Sequence, residues 1–159
     1  MMKKTLLSIM TMAALVSSVT ATAVESMEKS IIVSAEIPHV ITMQKNGGGD
    51  VDRITLEPGF GNAPADVYGA SENIAIRNGG ADIKVNIVGD FKLKSLTAPG
   101  EREFTELTVI LGGEQLKGND ANKIKSGNIE LMIHGKKPSE AIAEEKYSGT
   151  LKLNLEPVT

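Results

Sequence analysis

The residues able to carry chemistry are few and scattered. His39 and His134 are the only histidines. Neither stands in a His-x-His or His-Glu-x-x-His pattern, so no metal pair is signalled and both read as surface or strand-edge side chains. Glu140, Glu144 and Glu145 cluster on a lysine-rich stretch. Nothing in the pattern places them in an apolar cleft, so they read as a solvated face and not as an acid/base pair. The Gly-Gly-Gly at 47–49 and the Gly-Phe-Gly at 59–61 lack the helix and lysine that complete a phosphate cradle, and read as turns. No nucleophile-elbow spacing surrounds any serine. There is no cysteine, which removes thiolate chemistry and thiolate metal sites. The sequence supports neither catalysis nor a cofactor nor a metal, so the chemistry to look for is that of backbone and apolar surface.

The chain opens MMKKTLLSIMTMAALVSSVTATA. Lys3 and Lys4 form a positive start, an apolar run follows from Leu6 to Val16, and Ala21 and Ala23 occupy small-residue positions. This is the pattern of an export signal, with cleavage expected between Ala23 and Val24. The run is too short and too interrupted by Ser and Thr for a membrane span. Cleavage would take 23 residues and two lysines from the 159, leaving 136 residues with 15 basic and 20 acidic side chains, a formal charge of −5. That length suits one domain with a usable core. The acidic balance argues against nucleic acid and anionic membrane as partners. Trp is absent and only Phe60, Phe91, Phe104, Tyr68 and Tyr147 are aromatic, so stacking platforms for carbohydrate are scarce.

Alternation of apolar and polar residues runs through the mature chain. Ile31, Val33, Ala35 and Ile37 share one face of a leading segment, opposite Ser30, Ser34 and Glu36, with Ile32 the exception. HVITMQ, VDRITLE, FTELTVILGG and NIELMIHG are further strand candidates. SENIAIRNGGADIKVNIVGDFKLK reads as a hairpin turning at Asn78-Gly79, its second arm placing Ile83, Val85, Ile87, Phe91 and Leu93 on one face. Ser139 could cap one short helix within Glu140 to Glu145. The last segment has the cleanest alternation, with Tyr147, Gly149, Leu151, Leu153 and Leu155 on one side. Seven or eight strands with hardly any helix predict an all-β antiparallel sandwich or barrel. An exposed alternating strand near the start is either an ordinary first strand or a template for pairing with another sheet edge.

The segments MEKSIIVSAEIPHVITM, LTVILGGEQL, IELMIHGKKP and KYSGTLKLNLE, in this order, resemble the major pilins of the alternate chaperone–usher pathway: the alpha, or class 5, fimbriae typified by coli surface antigen one. Pro38 falls one place earlier than in that family's pattern. The resemblance implies an incomplete immunoglobulin-like sandwich, missing its last strand and completed by donor-strand exchange. It implies a signal peptide at 1–23, a donor strand at 24–38 and a pilin domain at 39–159. Ile31, Val33, Ala35 and Ile37 would be the inward donor positions. Tyr147, Gly149, Leu151, Leu153 and Leu155 would border the acceptor groove, and the carboxylate of Thr159 would anchor a periplasmic chaperone. The implied partners are identical subunits, that chaperone, an outer-membrane usher and a tip adhesin. The implied product is a surface fibre for attachment to host cells, reached through the periplasm. The alternative is a minor fimbrial subunit or a secreted β-sandwich binding module.

Overall fold

The computed structural model describes residues 9–10, 27–35, 40–97 and 102–158. The positions assigned above to Ile37, His39 and Thr159 lie outside the described residues. The chain divides into two units, Met1–Pro38 and His39–Thr159. In the first, β1 (Ile9–Met10) pairs antiparallel with β2 (Glu28–Lys29). Residues 27–35 are exposed throughout, Ile31 at 73% and Val33 at 88%.

The second unit is built from strands. Its larger sheet runs β3 (Thr42–Lys45), β5 (Val67–Arg77), β11 (Gly127–Lys136), β8 (Thr105–Leu111) and β9 (Glu114–Leu116), with β4 (Glu57–Pro58) also on β5. The smaller sheet runs β10 (Asn122–Ile124), β6 (Ile83–Ile87) and β13 (Leu153–Pro157). A short ribbon joins β7 (Lys94–Ser95) to β12 (Tyr147–Ser148). Every ladder is antiparallel. The longest joins β5 to β11, from Ile76 opposite Gly127 to Val67 opposite Lys136.

Alternation explains why the sheets stack. Ile74 and Ile76 of β5, Leu131 and Ile133 of β11, and Val109 and Leu111 of β8 project from one sheet. They meet Ile83, Val85 and Ile87 of β6 and Ile124 of β10 from the other, in one buried cluster. Each aliphatic side chain so enclosed stabilises by about 1.5–3 kcal/mol relative to an exposed one. The architecture is the antiparallel sandwich expected from the pattern, and it is not closed.

The local departures from expectation have physical causes. Asn78-Gly79 does make a turn, with the Ala81 N–H donating to the Asn78 carbonyl at 3.0 Å, but β5 and β6 enter different sheets and form no hairpin. Stacking the two arms face to face encloses Ile74, Ile76, Ile83 and Val85 completely, at 0% exposure, which lateral pairing would not do. The fully buried Asn78 holds this corner, its amide donating to the Asp82 carbonyl at 3.0 Å and the Ala81 carbonyl at 3.4 Å. β6 ends at Ile87, and Gly89 adopts φ 73°, so Phe91 and Leu93 fall outside the strand. Residues 51–56 join no ladder, although Ile54 and Leu56 pack on the core. The span 139–145 forms turns where a short helix was expected. The final segment is two strands, β12 and β13, separated by residues 149–152. The break begins where Gly149 lies against the Lys92 carbonyl, so close that a Cβ there would collide with it.

Asn78→Ala should destabilise the domain by about 1–3 kcal/mol, because the carbonyls it caps lose a buried donor. Chemical denaturation should show a lower midpoint with an unchanged slope.

Candidate functional site

The last strand leaves one side of the sandwich open. β13 pairs with β6 through Leu153 opposite Ile87, Leu155 opposite Val85 and Pro157 opposite Ile83. Among the described residues its other edge has no partner strand. In the larger sheet β3 is likewise an edge, paired only with β5. A groove of about 390 Å³ lies along this open side. Leu131 and Ile133 of β11 contribute to its lining, as do Met43, the stretch Val51 to Ile54, and Leu56. Phe91 and Leu93 line it too, together with Gly149, Leu151, Leu153 and Leu155. The polar side chains among the lining residues are Asp52, Arg53 and Thr150.

The five positions singled out on the final segment separate here. Gly149, Leu151, Leu153 and Leu155 line the groove, whereas Tyr147 belongs to a neighbouring polar and aromatic cluster. Its ring meets Phe104 edge-on at 5.1 Å between centroids, and Phe104 meets Tyr68 in the same way at 5.6 Å. The Tyr147 hydroxyl donates to Glu145 Oε2 at 2.6 Å. Glu145 Oε1 accepts from Arg102 Nη1 at 2.5 Å, and the same nitrogen reaches the Glu140 carbonyl at 2.9 Å. The Glu145 side chain is only 5% exposed, so it is no solvated surface acid. Its partner Arg102 lies 43 residues away in sequence, and no local pattern announces such a pair. Sequence reading also missed Val51, Ile54 and Leu56 as lining residues. Ile54 and Leu56 alternate as in a strand, which gives no sign of a groove wall, and Val51 falls outside that period.

Among the described residues that line the groove there is no histidine, and the charged ones are Asp52 and Arg53. His134 sits on β11 opposite Gly69 and Thr108. Among the described residues no three His, Cys, Asp or Glu side chains converge as metal ligands. What the arrangement offers is a row of aliphatic side chains beside a strand edge that, among the described residues, pairs with no other strand. Such an edge recognises an extended chain.

The sequence model of the CS1 type fimbrial major subunit family matches residues 27–156. The chain belongs to that family. That family is one of structural, non-enzymatic subunits of surface fimbriae. The chain is also similar to one in a solved structure described as "Chaperone-tip adhesin complex is vital for synergistic activation of CFA/I fimbriae biogenesis". That similarity has a TM-score of 0.49 and 17% identity, covering 75% of this chain and 43% of the other. The pilin thus spans less than half the length of that chain. No curated protein matches it.

The cluster beside the groove carries a titration signature. Burial first, then the hydrogen bond and charge of Glu145, push the Tyr147 hydroxyl from its ordinary value near 10 up to about 12. Because the folded state holds this proton more tightly, the associated stability is intact below pH 10 and is lost as pH rises from about 10 through 12. Phenolate absorbance should show one of the two tyrosines titrating near 12, and Tyr147→Phe should abolish that late step.

Proposed function

We propose that the subunit polymerises head to tail by strand donation. The segment containing Ile31, Val33, Ala35 and Ile37 leaves one molecule and lies in the groove of the next. It runs beside the edge that Gly149, Leu151, Leu153 and Leu155 form, with Tyr147 bracing the near end. The contact is heterologous and does not close on itself, so a filament grows. The observation that carries this reading is one chain holding both halves: an open groove against an unpaired strand edge and a leading segment whose aliphatic side chains are exposed.

Magnitudes support it. Three large aliphatic side chains and an alanine entering the groove contribute on the order of 5–10 kcal/mol before ordering costs, an upper bound. A small domain is stable by only about 5–15 kcal/mol in total. One strand therefore decides whether the sandwich stands complete. In the full pathway we propose, the leader at 1–23 is removed during export and a periplasmic chaperone lends a temporary strand while holding the carboxylate of Thr159. An outer-membrane usher then exchanges that strand for the donor of the next subunit, and a tip adhesin ends the fibre.

A chain lacking residues 24–38 should still bind the chaperone but should give no fibre by electron microscopy. Normal fibres from it would refute strand donation. Val33→Asp should lower assembly about a hundredfold, equivalent to ~2.7 kcal/mol, by placing a charge in an apolar slot. Leu153→Asp on the groove side should do the same, whereas Ser34→Asp on the solvent face should assemble normally.

A further inference from the structure

The open edge of β13 has a definite end. The Lys152 carbonyl accepts from the Val88 N–H at 2.9 Å, and the Val158 N–H donates to the Asp82 carbonyl at 3.2 Å. Residues 152 and 158 thus turn their polar backbone groups towards β6 and its extensions. In an antiparallel ladder this direction alternates, so Leu153, Leu155 and Pro157 turn theirs towards the groove. Proline has no N–H and carries its ring in that place. Along β13 the edge therefore donates from Leu153 and Leu155 and stops at Pro157. At the other end, the Lys92 backbone lies against Gly149. Between these limits four inward-facing positions line the groove, Gly149, Leu151, Leu153 and Leu155.

We propose that Pro157 is the stop that fixes the register of the entering strand, with Ile31 of the incoming subunit opposite Leu155. This rests on the strand-donation reading above. The segment Ile31 to Ile37 has the same span as Gly149 to Leu155, about 20 Å at ~3.3 Å per residue, and the same four inward positions. Every ladder in the domain is antiparallel, and antiparallel pairing is the more stable per residue. In that orientation Val33 meets Leu153 and Ala35 meets Leu151, and Ile37 falls at Gly149, where the Lys92 backbone ends the groove. Lys29 then falls opposite Pro157, where pairing has already ended and a charged side chain can leave for solvent. Sliding the donor two residues towards the C-terminus would require a ladder bond from Pro157. It would also place Ile31 beside the proline ring.

The absence of native cysteine makes the register directly measurable in fibres of the full mature chain. Ile32 of the donor faces solvent and would lie opposite Asn154, about 4.5 Å away between α-carbons, within disulfide reach. Glu156 would lie roughly 7–8 Å from it on the diagonal, beyond that reach. Ile32→Cys with Asn154→Cys should therefore form intermolecular disulfides about tenfold more readily than Ile32→Cys with Glu156→Cys. Adding Pro157→Val to the second pair should raise its yield to a level comparable with the first. Equal yields from the two pairs with Pro157 intact, or a second pair that Pro157→Val leaves unchanged, would overturn the proposal. The first comparison keeps Pro157 and so does not depend on how that variant folds. Fibres that need residues 24–38 yet bridge in another register would sink the stop while sparing strand donation. Fibres that form without residues 24–38 would sink both.

Discussion

A strand edge beside an apolar floor admits few solutions, and this subunit is organised around that constraint. The backbone groups of Leu153 and Leu155 that face the groove want hydrogen bonds, while their side chains and those of Leu131 and Ile133 want to leave water. Apolar cover alone would bury polar backbone atoms without partners, at about 1–3 kcal/mol each. Water alone would leave the leucines wet. Only another extended backbone with aliphatic side chains on one face satisfies both demands. The strand donation proposed above answers both demands at once.

The remainder of the domain holds that edge in position. β6 is the pivot: its inward residues are buried against the larger sheet, and its two flanks carry β10 and β13. The Arg102, Glu145, Tyr147 and Phe104 cluster fastens the chain just before the groove. The Lys92 backbone against Gly149 sets where the lining begins. The side of the sandwich opposite the groove is bridged by the short connection between β9 and β10, residues 117–121.

The sequence carried much of this because alternation is a local signal. Val109 and Leu111, Leu131 and Ile133, and Leu153 and Leu155 all took the inward places that their period of two implies. What it did not carry was which elements meet. Asn78-Gly79 looks like a hairpin turn in one dimension, and only the shared burial of Ile74 and Ile83 makes it a corner between sheets. Gly149 looks like one more inward position in a continuous strand. The break there comes from the Lys92 backbone, distant in sequence. Glu145 sits among lysines and glutamates, and its burial is decided by an arginine on another segment. Of the groove, the leucines were legible and the wall formed by residues 51–56 was not, since that stretch packs without joining a ladder.

The direction of β13 matters for more than recognition. In a fibre joined by a donor lying along this edge, tension pulls the two chains past one another parallel to their length. The ladder bonds lie across that pull, so they are loaded side by side and must yield together instead of one after another. In the proposed fibre this five-residue strand would thus act as a shear joint, suited to a filament under tension.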